Sequence, residues 1–205
     1  MIIVIEGLSL TGKTTLCKQL YQHYVEEGLK CKLCFHGHLY NDEAAEKYYQ
    51  NAIMAYNKWS IEDAIHWSIS SIQQDYWAFE QNQNEFTGID IIFLDRHYLS
   101  QYAVAEHFSF PQIPVFQRPP LYHEFLITAN YDERNRRASI RNDNHSKLTD
   151  YTLSSPEIHL SFEKLYKKHL LRHGTTPDHI ICNDNFEAIH RLIRIIDDLL
   201  YGRKI

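Results

Sequence analysis

The sequence predicts an α/β fold, a parallel sheet covered by helices on both faces, and three observations carry that reading. Short apolar runs alternate with longer segments of helical periodicity along the chain. The first run, Ile2-Ile3-Val4-Ile5, leads into Gly7-Leu-Ser-Leu-Thr-Gly-Lys-Thr14, a full match to the pattern G-x-x-x-x-G-K-[ST]. Leu16, Leu20 and Tyr24 follow at helical spacing, so the match lies between a strand and a helix, the setting in which it binds phosphate.

The elements follow in order. The helix after the motif spans about residues 13–27 and is ended by Gly28, which is free to turn the chain out of the helix. Lys32–Phe35 reads as the second strand. A long stretch rich in Tyr and Trp, from Tyr40 to Phe79, joins it to the third strand, Ile89–Leu94, and has room for two helices. A helix over about 98–108 comes next, then Pro111, Pro114, Pro119 and Pro120, clustered as one long loop. Glu124–Thr128 is the fourth strand. Ser155-Pro156 opens a helix that runs to about Arg172, with the proline suited to its first turn. His179–Cys182 is the fifth strand, and a last helix over about 185–201 carries Ile189, Leu192, Ile193, Ile196 and Leu200 on one face. In such a sheet ligands bind beyond the carboxyl ends of the strands, where the Gly7–Thr14 loop, His36–His38 and Asp95-Arg96-His97 gather.

Composition narrows the class. The chain has 205 residues, 44% of them hydrophobic, which suits one domain over 1–205 with a substantial core. Net charge is −5, so bulk electrostatics do not point to a nucleic-acid polymer as partner. The first strand begins almost at once and meets Glu6, which is no signal peptide, and no apolar run reaches membrane-spanning length. A cytoplasmic protein with no membrane partner is expected. Four cysteines are too few for a disulfide scaffold in a chain of this size. Cys31-x-x-Cys34, with His36 and His38 nearby, has zinc-like spacing. On a strand, however, that spacing sends the two sulfurs to opposite faces, and reduced strand cysteines are the better reading.

The motif itself assigns roles. Gly7 and Gly12 let the backbone curl, so that N–H groups around Ser9, Thr11, Gly12, Lys13, Thr14 and Thr15 and the helix N-terminus face a phosphate. Lys13 reaches the β- and γ-phosphates, and the Thr14 hydroxyl sits on a magnesium ion. The remaining strand ends exclude a GTPase switch: the third strand ends Asp95-Arg96-His97-Tyr98 without a D-x-x-G glycine, and the fifth ends Asn183-Asp184-Asn185 without the lysine of N-K-x-D. Asp95 is placed to hold magnesium or take a proton from a hydroxyl, against the plainer reading of a helix N-cap. Arg96 is placed to hold an anionic acceptor, against a structural ion pair. After the fourth strand, Arg134, Arg137 and Arg141 fall three and four apart and share a helix face, able to clamp phosphate oxygens and balance transition-state charge.

Three segments together resemble the thymidylate kinase-like branch of nucleoside and nucleotide kinases. The opening I-E-G-L-S-L-T-G-K-T-T is similar to that family's E-G-x-x-x-x-G-K-[ST]-T, Asp95-Arg96-His97-Tyr98-Leu99-Ser100 resembles its D-R-x-x-x-S segment, and Glu133, Arg134 and Arg137 resemble its lid. The resemblance implies a three-layer P-loop kinase fold with strand order 2-3-1-4-5 and a lid over about 131–150. It implies ATP and Mg2+ as cofactors, Lys13, Thr14 and Asp95 on the ATP·Mg side, Arg96 and Ser100 toward the acceptor, and Asn183 in the turn that contacts adenine. It also implies a homodimer paired through helices beside the third strand.

Departures gather mainly on the acceptor side. His36-Gly37-His38 replaces R-E-P after the second strand, Gln73-Gln74 replaces an upstream D-R pair, and Val104 and Ala105 replace a tyrosine and a glutamine. Ser9 stands where thymidylate-using relatives have an acid, and Ser9-Leu10-Thr11 holds no arginine, which leaves charge stabilisation to the lid. His36, His38, Gln73 and Gln74 are therefore the candidate acceptor contacts, beside aromatic faces at Tyr48, Tyr49, Tyr56, Trp59, Trp67, Tyr76 and Trp77 that suit a planar base or fill core. The small-molecule acceptor is read as a nucleoside monophosphate. A hydroxyl of a nucleoside or a natural product such as an antibiotic is the alternative, and a nucleotide-dependent regulator a third reading.

Overall fold

Five parallel strands, β1 (Ile2–Glu6), β2 (Cys31–Cys34), β3 (Ile91–Asp95), β4 (Tyr122–Thr128) and β5 (Ile180–Cys182), form one sheet in the order β2-β3-β1-β4-β5. This is the order that the resemblance implies. The computed structural model describes residues 1–110, 121–141, 146–184 and 187–202, and at positions 49 and 53 the backbone alone. The expected proline loop, the 142–145 part of the lid and Asn185 lie outside the described residues.

The central strand is buried along its whole length, as a parallel strand covered on both faces must be. Its alternate residues divide the core. Ile3 and Ile5 pack with Leu16, Leu20 and Tyr24 of helix α1 (Lys13–Glu26) and with Leu192 and Ile196 of α8 (Glu187–Tyr201). Ile2 and Val4 look the other way, toward Leu94 and toward Tyr76 and Phe79 of α3 (Ile61–Gln81). Also on that side, α4 (Tyr98–His107) packs on α7 (Pro156–Arg172) through Leu99, Tyr102, Phe162 and Tyr166. Cys31 packs against the first of these clusters and Cys34 belongs to the second, on opposite faces as a strand requires.

The stretch between β2 and β3 holds two helices, α2 (Asp42–Lys58) and α3, each opened by a side-chain cap. Asn41 accepts from Ala44 N at 2.9 Å and Ser60 from Asp63 N at 3.0 Å. Ser155 caps α7 in the same way, and Pro156 fills its first turn. The third strand starts two residues later than its apolar run suggests. Ile89 follows Gly88, which has φ +84°, and the Asp90 carboxylate accepts from Lys30 N at 2.8 Å, so the pairing begins only at Ile91. The lid region forms α5 (Tyr131–Arg141) and the short α6 (Lys147–Thr152).

Candidate active site

The phosphate loop leaves β1 with two glycines that the local geometry requires. Gly7 has φ +138°, and a Cβ there would stand 2.2 Å from the Ile127 carbonyl oxygen of β4. Gly12 has φ +92°, and a Cβ would stand 2.4 Å from the Asn183 amide nitrogen. That amide in turn donates to Thr11 O at 2.8 Å. Lys13, buried at the start of α1, donates from Nζ to Leu8 O at 2.5 Å. Burial first, and the Arg96 charge second, hold its pKa well below the ordinary lysine value, and an anion would reverse that push.

Thr14 Oγ1 donates to Asp95 Oδ2 at the end of β3. Asp95 is 2% exposed, and its other oxygen, Oδ1, is buried with no hydrogen-bond partner among the described residues. A hydroxyl and a carboxylate with a free oxygen are hard donors of the kind magnesium takes, so the residues present fit that ion. The cap that Asp95 was a candidate for is supplied by Glu6 instead. Fully buried, Glu6 accepts from His97 N at 2.6 Å, Leu99 N at 3.1 Å and Ser100 N at 3.4 Å through Oε1, and from Ser100 Oγ at 2.6 Å through Oε2. Burial pushes its carboxyl up. Sequence reasoning missed this role, although an acid ending an apolar central strand was its signal.

Arg96 has a left-handed backbone at φ +69°, costly for a residue with a side chain and kept only where several bonds hold it. Its Nη1 donates to Gly7 O at 2.9 Å and Ser100 Oγ at 3.1 Å, and its Nη2 to Ser9 Oγ at 3.1 Å. The guanidinium is thereby fixed across the mouth of the phosphate loop.

The three lid arginines share a helix but not a situation. Arg134 is fully buried and spends its donors on Ser9 O at 2.9 Å, Thr152 O at 3.3 Å, Thr152 Oγ1 at 2.8 Å and His159 Nδ1 at 2.8 Å. Arg137 is held by Glu133 Oε1 at 2.7 Å, Leu10 O at 3.1 Å and Asn183 O at 2.6 Å. Only Arg141, at the exposed end of α5, lines the central cavity. The two inner arginines tie the lid to the phosphate loop rather than reaching past it. Asn183 belongs to the same tie.

That cavity has a volume of about 450 Å³. It brings together Ser9, Gly12, Lys13, Thr14, His36, Asp95, Arg96, Ser100 and Arg141 of the residues singled out from sequence. Gly7 and Thr11 shape the loop from behind, and Thr15 is exposed on α1 outside the cavity lining. His36 lies in the left-handed region at φ +56°, and burial lowers its pKa to about 4, so it is neutral near pH 7. His38 does not line the cavity: it is buried between His36 O at 2.9 Å and Ser71 Oγ at 3.0 Å.

Gln73 and Gln74 do not line it either, the first half-buried and the second exposed on α3. The helical turn directs Asp75 inward instead, where its carboxylate accepts from Tyr40 N at 3.0 Å and Asn41 N at 2.9 Å. In their place stands Gln101, which sequence reasoning passed over. It is 7% exposed, lines the cavity, and its Oε1 is buried with no hydrogen-bond partner among the described residues. Its only signal was its place one residue after D-R-x-x-x-S. The aromatic lining comes from Tyr48, Tyr56, Phe162 and Tyr166. Tyr48 is backed by Trp67, stacked at 4.9 Å and 8°, against which Trp59 sits edge-on at 6.1 Å. Tyr76 fills core, and Trp77 is exposed.

No protein-family model matches the chain, and no curated protein matches it in sequence. Solved structures do match. A thymidylate kinase from Candida albicans is similar with a TM-score of 0.62 at 14% identity, covering 99% of this chain and 93% of that one. A thymidylate kinase from Ehrlichia chaffeensis is similar with a TM-score of 0.61, also at 14% identity, covering 97% of this chain and 98% of that one. The chain therefore has the fold of these kinases over nearly its whole length. Among the described residues no helix is long and apolar enough to cross a membrane.

Proposed function

We propose that the protein is an ATP-dependent kinase that transfers the γ-phosphoryl group to a nucleoside monophosphate, with Mg2+ as the accompanying ion. The carrying observation is that one cavity is lined both by Lys13, Thr14 and Asp95 and by Arg96, with Gln101 and an aromatic wall completing it. ATP·Mg2+ supplies the phosphoryl group when bound. Lys13 neutralises charge on the donor phosphates, and Thr14 with Asp95 holds the ion. Arg96, already oriented by Gly7, Ser9 and Ser100, holds the acceptor phosphate. A phosphate oxygen is anionic at pH 7, so no general base is needed, and the neutral His36 serves as a hydrogen-bonding wall. Arg141 reaches in from the lid to balance charge on the transferring group.

The base is read as one other than thymine, since the acceptor contacts of thymidylate-using relatives are absent. A relative in fold, the thymidylate kinase from Candida albicans, is described as broad in substrate specificity. The hydroxyl-acceptor reading is favoured by one observation, Asp95 Oδ1, which has no hydrogen-bond partner among the described residues and can accept a proton. Two variants separate the readings in an ADP-release assay. Arg96→Ala abolishes turnover if the acceptor is a monophosphate. If Arg96→Ala keeps full activity while Asp95→Asn loses it, the acceptor is a hydroxyl.

A further inference from the structure

Arg134 is a buried cation whose hydrogen-bond partners among the described residues are neutral: two carbonyl oxygens, a threonine hydroxyl and an imidazole nitrogen. One of those contacts fixes a protonation state. A guanidinium has donors only, so His159 Nδ1, 2.8 Å from Arg134 Nη1, accepts and carries no proton. The imidazole, 4% exposed on α7, is therefore neutral with its proton on Nε2. The chain of contacts runs on into the site. Arg134 Nε holds Ser9 O in the middle of the phosphate loop at 2.9 Å, and Ser9 Oγ accepts from Arg96 Nη2 at 3.1 Å and from Thr149 Oγ1 of α6 at 3.2 Å. Ser9 thus joins the loop, the acceptor-side arginine and the lid.

We propose that His159 is a positioning residue of the transfer site: as a neutral acceptor it fixes Arg134, and through it the Ser9 carbonyl, and protonation of the ring loosens the hold of Arg134 on that carbonyl. The proposal rests on the kinase reading for its effect on turnover, but not for its effect on the loop. A second proton would turn Nδ1 into a donor facing a donor, between like charges. The groups facing His159 are Arg134 and Tyr131 from α5, Glu163 and Lys167 from its own helix, and Asp184 after β5. Burial, then Arg134, outweigh the pull of Glu163 and Asp184 and hold the ring below the ordinary histidine value. The contact is accordingly intact above the ordinary histidine range and is lost as pH falls through the lowered value.

Three readouts test this on the full chain. In 15N-labelled protein at neutral pH, His159 Nδ1 gives the signal of an unprotonated ring nitrogen and titrates below free histidine; a proton on Nδ1 at neutral pH overturns the proposal. His159→Ala lowers kcat/KM about tenfold, the scale expected when a held group drifts. His159→Asn, whose Oδ1 can accept where Nδ1 does, recovers most of that loss and removes the acid limb of the pH profile. Profiles of wild type and His159→Asn that superimpose overturn it. Affinity for a fluorescent ATP analogue follows the same pH dependence, so a chain that turned over no acceptor would still decide the matter.

Discussion

The half of the cavity proposed to hold the phosphate donor and the half proposed to hold the acceptor are built in different ways. On the donor side, Gly12, Lys13 and Thr14 are consecutive, and Asp95 comes from the neighbouring strand end, paired to β1 in fixed parallel register. Backbone geometry places nearly everything there, through two glycines that admit no Cβ. On the acceptor side, Tyr48 and Tyr56 come from α2, Ser100 and Gln101 from α4, Leu148 and Thr149 from α6, and Phe162 and Tyr166 from α7. Side chains of separate helices place that half. Ser100 through Arg96 and Thr149 through Ser9 tie it to the loop, while Tyr48, Tyr56 and Gln101 can change without disturbing it. A fold that keeps its donor half and rewrites its acceptor half can serve a new acceptor with old machinery.

The comparison can be broken at several points. Lys13→Ala removes the ammonium on the first residue of α1, and turnover is expected to fall by about a thousandfold or more in a coupled ADP assay. A small loss would mean that the loop is not the donor site. The lid arginines divide next. Arg141→Ala lowers kcat by about a hundredfold and leaves the melting temperature in place, since its side chain is exposed. Arg134→Ala strips partners from Ser9 O and Thr152, and unfolding is expected to become about 3 kcal/mol easier by denaturant titration. The reverse pattern, a stable Arg134→Ala and an unstable Arg141→Ala, would contradict the division drawn here. The smallest effect sharpens the acceptor half. Gln101→Leu leaves the phosphate-holding Arg96 in place but takes away the amide, and should shift the preference among bases by about tenfold in kcat/KM.

How much of this was legible in the sequence follows the same divide. The apolar strand runs and the G-x-x-x-x-G-K-[ST] loop after the first of them could be read because they depend on residues close in the chain, whereas the strand order came from the resemblance and the Thr14–Asp95 hydrogen bond from the structure alone. The opposed faces of Cys31 and Cys34 followed from strand geometry alone. The acceptor wall could not be read so well. Gln73 and Gln74 were chosen for the family position that they occupy, but the helix turns Asp75 inward to bind the Leu39–Asn41 backbone and leaves them outside the cavity. His38 was chosen with His36, yet a hydrogen bond to Ser71 buries it. Gln101 was missed because nothing in a single helix says which of its polar residues a distant α2 and α7 will enclose. The arginine run was legible as a face, and the split between Arg134 and Arg141 was not, because it depends on Thr152 and His159 of the elements that follow.

The proposed reaction of this cavity is transfer of a phosphoryl group to a nucleoside monophosphate. ADP release, measured with purified protein, ATP and Mg2+ over a panel of nucleoside monophosphates, nucleosides and phosphorylatable natural products, tests it most directly. Release is expected to be stimulated by one or more monophosphates other than thymidylate and lost in Arg96→Ala. Stimulation by a nucleoside or natural product alone, or silence across the panel with ATP binding intact, would contradict it.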